Sequence, residues 1–294
     1  MKILLVIFAV VISANCNPCQ FYDLLTCADF LGSWKFVELC EKAHVTHEFT
    51  KGNDTKTLFL PSRGALDSIP PAIIEMMSKN KTFLREVIMY HLVPQKLQCI
   101  NMKDNSLLPT FQGEQLRVNR YTSEQDNKTL ITVEGGEYMN VEDRTKNGRI
   151  CVIHQVLYQI PTRTAYKYIS EDRNVSTFLL LASKAQDLDT FKGPNMTVLV
   201  PDNAAFSKLA PGVLQNITSN PELLKGVLSN HMTDEVFFTK GLTHTRKFTS
   251  KSGMSFPVDV KEREVYVGSA KIINADISTL NGVVQIIDTV LVDT

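Results

Sequence analysis

The chain has 294 residues, which is enough for two domains of ordinary size. It is 44% hydrophobic and 21% charged, a globular composition that excludes a disordered or low-complexity protein. Lys plus Arg and Asp plus Glu number 31 each, and this zero net charge argues against a nucleic-acid or polyanion binder, which carries a basic excess.

The chain opens with Lys2, an apolar run from Ile3 to Ile12, and the small residues Ser13 and Ala14. That is the layout of a secretory signal peptide, assigned here to residues 1–16, and cleavage after Ala14 or after Cys16 fits equally well. The run is too short to span a bilayer, and no other stretch is long enough. The closing "VLVDT" has no apolar tail of the kind a lipid-anchor signal needs. The expectation is a secreted, extracellular protein with no membrane span or lipid anchor.

Six cysteines follow, at 16, 19, 27, 40, 99 and 151, none of them beyond the first copy. In an oxidising compartment they should pair, with the connectivity open and one thiol orphaned if cleavage removes Cys16. Residues 17–32 read as a short Cys-containing segment ahead of the first domain. Cys16-Asn17-Pro18-Cys19 has redox spacing but not the strand-then-helix setting such a site needs. Six Asn-x-Ser/Thr triplets, at Asn53, Asn80, Asn127, Asn174, Asn195 and Asn216, are candidate glycosylation sites in keeping with secretion.

The rest of the chain is written twice. "TLFLPSRGAL" at 57–66 aligns with "TVLVPDNAAF" at 197–206, each an apolar strand ending in Pro and then a turn. "NKTFLREVIMYHLV" at 80–93 aligns with "NPELLKGVLSNHMT" at 220–233, placing His91 and His231 140 positions apart. Both segments predict helices, with Asn80 and Asn220 as N-caps, Pro221 in the first helical position, and one apolar face. An alternating hairpin comes next. It is clear at 256–268, where Val258 and Val260 precede a charged turn and Val265 and Val267 follow it. Its counterpart at 116–133 has a longer tip carrying Asn127. Last, "NGRICVIHQVL" at 147–157 matches "NGVVQIIDTVL" at 281–291, now 134 apart, so the first copy holds six extra residues after its His, assigned to that tip. Each closing box predicts a strand buried on both faces, entered by an Asn-Gly turn. Helices first and strands later give two α+β domains, at 33–160 and 161–294, joined by a short link around Pro161.

The ordered boxes, the central Tyr-His pair and the closing Asn-Gly box resemble the fasciclin-type domain over nearly the whole chain after the signal. The resemblance implies two tandem β-sandwich wedges with packed helices. It also implies a secreted adhesion or matrix protein, not an enzyme, with an integrin-like receptor or a matrix protein as partner. The alternative is a soluble secreted modulator that blocks adhesion. The pair is Tyr90-His91 in the first copy but Asn230-His231 in the second.

Two partner-binding candidates follow from the resemblance. Tyr90 and His91 match the family's receptor-contact pair, although a His hydrogen-bonded in the core gives the same pattern. Asp276 and Ile277 match its Asp-Ile motif, where a carboxylate could reach a receptor-held cation. Replacing both is expected to lower attachment without lowering thermal stability. His44 and His47 have helical metal-ligand spacing without a third ligand, so no metal or cofactor is expected. No catalytic motif groups the nucleophiles and bases, and no catalytic residue is assigned.

Overall fold

The computed structural model describes residues 18–52 and 55–292. The signal segment, Cys16 and the Asn53 sequon lie outside the described residues. The first copy runs α1 (Leu24–Phe30), α2 (Trp34–Lys42), α3 (Thr46–Thr50), β1 (Lys56–Pro61), α4 (Arg63–Asp67), α5 (Pro71–Lys79), α6 (Lys81–Tyr90) and β2 (Leu92–Val93). It continues with β3 (Ser106–Pro109), β4 (Gln115–Thr122), β5 (Thr129–Val133), β6 (Gly136–Arg144) and β7 (Gly148–Ile153). The second copy runs α7 (Ala165–Glu171), α8 (Ser176–Lys184), β8 (Met196–Pro201), α9 (Asn203–Ser207), α10 (Val213–Ser219), α11 (Pro221–Asn230) and β9 (Met232–Thr233). It ends with α12 (Thr239–Thr245), β10 (Lys247–Thr249), β11 (Ser255–Lys261), β12 (Glu264–Val267), β13 (Ala270–Thr279) and β14 (Gly282–Ile287).

Each copy builds one seven-stranded sheet, β2-β1-β7-β6-β5-β4-β3 in the first and β10-β11-β12-β13-β14-β8-β9 in the second. The two most similar boxes lie side by side at its centre. β1 runs parallel to β7, from Lys56 opposite Gly148 to Pro61 opposite Ile153, and β8 pairs with β14 in the same way. Their unbroken apolar runs follow from burial on both faces. In β1, Leu58 and Leu60 pack into the helical core with Phe36, Val87 and Ile88, while Phe59 faces Val118, Ile131 and Val133 of the folded-over strands. The sheet closes into a sandwich because its long strand bends. Pairing of β6 with β7 slips between Tyr138 and Glu142, and pairing of β13 with β14 slips on both sides of Asn274. Asn140 and Asp276 take positive φ, 56° and 58°, at these bulges.

The helix signals resolve as local chemistry. Asn80 Oδ1 caps α6 by accepting from Phe83 N at 3.0 Å, and Asn220 Oδ1 caps α11 by accepting from Leu223 N at 3.2 Å. The second hairpin pairs Val258 with Val267 and Val260 with Val265 across a Glu262-Arg263 turn, both turn residues at positive φ.

Residues of the short Cys-containing segment pack into the first copy. Leu24, Leu25, Cys27 and Ala28 are buried in the same core as Phe36 and Leu58, because α1 occupies the place that α7 holds in the second copy. Disulfides join Cys19 to Cys27 and Cys99 to Cys151. Cys40 is a free thiol in the core, and desolvation pushes its pKa far up, so it is inert as a nucleophile.

The six extra residues have a definite place. Val118 opposite Val133 in the first hairpin matches Val258 opposite Val267 in the second, and the longer excursion between them projects from the first copy. Its tip docks on the second copy. Tyr121 is 5% exposed and belongs to the second copy's core with Phe237, Leu242 and Phe248. Its ring stacks on Phe237 at 5.7 Å, its hydroxyl donates to Val236 O at 3.0 Å and it accepts from Phe238 N at 3.3 Å. Gly241 in α12 leaves the room, since a Cβ there would overlap the Tyr121 ring. Arg117, also buried, donates to Asn195 Oδ1 at 2.7 Å, and His244 Nε2 donates to Lys128 O at 2.9 Å.

Candidate partner-contact surface

The central pair sits at the end of α6, and both side chains are 0% exposed. His91 Nδ1–H donates to Val87 O at 2.7 Å, and Nε2 accepts from Leu157 N at 3.0 Å. His231 repeats this with Val227 O at 2.7 Å and Leu291 N at 3.0 Å. Each histidine therefore pins the exit of the closing box to the helix before it. Burial holds both pKa values down, to about 4, so both rings are neutral at physiological pH. The Tyr90 hydroxyl donates to Gln115 O at 2.9 Å and reaches Glu134 Oε1 at 3.3 Å. The expected contact pair is thus part of the core. A partner could reach Tyr90 or His91 only by opening α6 from the sheet.

Asp276 sits on the β13 bulge, half-buried, with both carboxylate oxygens engaged. Oδ1 accepts from Thr239 N at 2.7 Å and Gln285 Nε2 at 2.8 Å, and Oδ2 accepts from Thr239 Oγ1 at 2.5 Å. Asp276 N in turn donates to Gln285 Oε1 at 2.7 Å. Desolvation raises the Asp276 pKa, and the bonds from Thr239 and Gln285 oppose it. The carboxylate braces the start of α12, with both oxygens already accepting hydrogen bonds inside the protein. In the first copy the equivalent acid is Glu142, whose Oε2 accepts from Cys99 N at 2.9 Å and which also pairs with Arg149. There the Cys99–Cys151 disulfide stands where Thr239 and Gln285 stand in the second copy.

Ile277 is placed differently. It is half-exposed and edges a cleft of about 240 Å³ with Tyr158, Ile160, Arg163 and Tyr168. Unlike Tyr90 and His91, it keeps surface that a partner can touch without unfolding, while its inner side packs against the second copy's core. The cleft draws on the end of the first copy, the link and the second copy together.

Two residue sets were not predicted. Asn147 and Asn281 are more than turn residues. Asn147 Oδ1 accepts from Leu24 N at 3.0 Å and its Nδ2 donates to Phe49 O at 2.7 Å. Asn281 accepts from Ala165 N at 2.8 Å and donates to Phe191 O at 3.0 Å. Each clamps the first helix of its copy to the last strand, and their repetition was the available signal. Glu134 is 6% exposed at the seam, accepting from Arg117 N at 2.6 Å and from the Tyr90 hydroxyl at 3.3 Å. Burial pushes its pKa up. Among the sequons, Asn80, Asn127, Asn174 and Asn216 are exposed, while Asn195 is half-buried under Arg117.

No helix among the described residues is long and apolar enough to cross a membrane. The chain is 24% identical over 247 residues to transforming growth factor-beta-induced protein ig-h3 of Sus scrofa, covering 82% of this chain and 35% of that protein. It is 24% identical over 249 residues to periostin of Homo sapiens, covering 83% of this chain and 29% of that protein. It therefore spans about a third of the length of these curated relatives. A solved FAS1 domain pair from the insect cell adhesion molecule fasciclin I covers 90% of this chain and 98% of its own, with a TM-score of 0.41 at 15% identity. The fasciclin domain family itself matches residues 33–159 and 173–293, nearly all of both copies, and the chain belongs to that family as a tandem pair of its domains.

Proposed function

We propose that this protein is a secreted adhesion or matrix-associated protein that engages a cell-surface receptor or matrix component through the second-copy surface around Ile277. The observation that carries this reading is the cleft in which Ile277 stands half-exposed beside residues of the link, so that both copies must be present to form it. Asp276 acts there as a positioning residue by holding the bulge that presents Ile277. Tyr90 and His91 support the scaffold from inside. Binding of an integrin-like receptor or a matrix protein belongs to this reading, as do removal of the signal segment and glycosylation at the exposed sequons. The protein is read as a binder and not as an enzyme, in keeping with the family to which it belongs.

The test is cell spreading on surfaces coated with the purified protein, with and without EDTA. Wild-type protein should support spreading, and Ile277→Ser should lower it several-fold at a temperature where circular dichroism shows the variant fully folded. Unchanged spreading by that variant places the contact elsewhere. Loss in EDTA identifies a metal-dependent receptor. If coated protein supports no spreading while dissolved protein inhibits it on another matrix, the protein is a soluble modulator.

A further inference from the structure

In the first copy, α2, α5 and α6, with His44 beyond the end of α2, line an open cleft of about 440 Å³, within the size range of small-molecule sites. Met77 and Leu84 form its floor, each 4% exposed. Leu39 and Ile74 form its walls, and Ile74 is left 50% exposed although it lines a concave surface. Lys42 and Lys81 stand at the rim. Lys42 also pairs with Glu38 at 2.7 Å, and Lys81 makes no ion pair among the described residues. No carboxylate lines the cleft. Lys81 is the first residue of α6, where the helix dipole adds to the positive potential.

We propose that this cleft binds a free fatty acid. The apolar tail lies along Ile74 and over Met77 and Leu84, and the carboxylate sits between the Lys42 and Lys81 ammonium groups. The chemistry selects this occupant. The floor and walls offer a tail only dispersion contacts and escape from water, while the rim offers two cations on flexible stems that can follow a headgroup. A neutral lipid would leave Lys81 without a counter-charge, and a small polar anion would leave the apolar wall wet.

The second copy provides an internal control. α8 matches α2 in length, and Ala43 followed by a positive-φ His44 matches Ala185 followed by a positive-φ Gln186. By the repeat, Leu214, Ile217 and Leu224 stand for Ile74, Met77 and Leu84, and Lys184 stands for Lys42, but Pro221 replaces Lys81. The second copy thus keeps the apolar residues and loses one of the two cations.

The experiment is a titration of the full-length secreted protein with 11-(dansylamino)undecanoic acid, read by fluorescence, followed by displacement with palmitate and with methyl palmitate. One saturable site per chain is expected, displaced by palmitate and not by the ester. Lys81→Glu and Ile74→Asp should each weaken binding by about tenfold or more, with unchanged circular dichroism and melting temperature. Lys184→Glu should leave binding unaltered. Absence of saturable binding by the wild type overturns the proposal. Displacement by the ester as readily as by the acid overturns the anionic occupant. An equal loss in Lys184→Glu overturns the assignment to the first copy. Because the readout is ligand binding, its failure leaves the adhesion reading untouched.

Discussion

The two copies solve one mechanical problem in two ways. In both, a bulge on the long bent strand must be tied to the segment that follows the central helix. The first copy uses the Cys99–Cys151 disulfide with Glu142 bonded to Cys99 N. The second uses Asp276 with Thr239 and Gln285. A covalent tie works by restricting the unfolded chain, while a buried polar network works only when every member is satisfied. The first copy should therefore be sensitive to reductant and the second to loss of any one of its polar groups.

The largest expected effect separates the copies at their Asn-Gly entries. A Cβ at Gly282 would overlap the backbone carbonyl of Met196, whereas one at Gly148 would meet Lys56 O at 2.7 Å and the yielding Leu24 side chain. Gly282→Ala should cost about 4 kcal/mol or more, and Gly148→Ala clearly less, in urea denaturation. Equal costs would mean that the two central strand pairs differ less than their geometry indicates.

Next is the tie itself. The Cys99–Cys151 bridge closes a loop with a sequence separation of 52 residues. Removing it with Cys99→Ser and Cys151→Ser should cost about 4 kcal/mol. Asp276→Ala should cost about 2 kcal/mol, because desolvation offsets part of what its three hydrogen bonds contribute. Such a loss would run against the expectation that Asp276 and Ile277 can be replaced at constant stability, so attachment by variants at either position is to be compared at equal folded fraction. Calorimetry with and without reductant separates the two ties.

The pH response should be alike in the two copies. His91 and His231 both have folded pKa values of about 4, below the ordinary 6.5. Between those values the unfolded chain binds more protons. Their contribution is therefore complete above pH 6.5, falls as pH drops towards 4, and flattens below. Each can account for up to about 3 kcal/mol. If only one copy loses stability over that window, the equivalence of the two histidines fails.

The smallest expected effect in this series is at the seam. Tyr121→Phe leaves Phe238 N and Val236 O without their hydroxyl partner and should cost about 1 kcal/mol. It should also begin to split a shared unfolding transition into two. A variant that still melts in one step at unchanged temperature would show that the seam does not couple the copies.

Much of this was legible in the sequence. The repeat, the two Asn caps, the Val258 to Val267 hairpin and the closing strands follow from local periodicity and turn chemistry. The candidate site was less legible because its partners are remote. Asp276 meets Thr239 37 positions away, and Asn147 reaches Leu24 across 123. A turn-forming Asn and a bonding Asn look alike in sequence. Likewise, the six extra residues could be counted, but Tyr121 in an alternating strand carries no mark that its face belongs to a neighbouring domain.

The docking of Tyr121 has a consequence for multivalent encounters. Two modules on a loose tether sample many separations and pay an entropic cost at the second engagement. Here the hairpin is set into the neighbouring core, so the two copies act as a ruler. Partners, or repeats of one partner, arrayed at the matching spacing would be held in concert. Arrays at other spacings would gain nothing from the second copy.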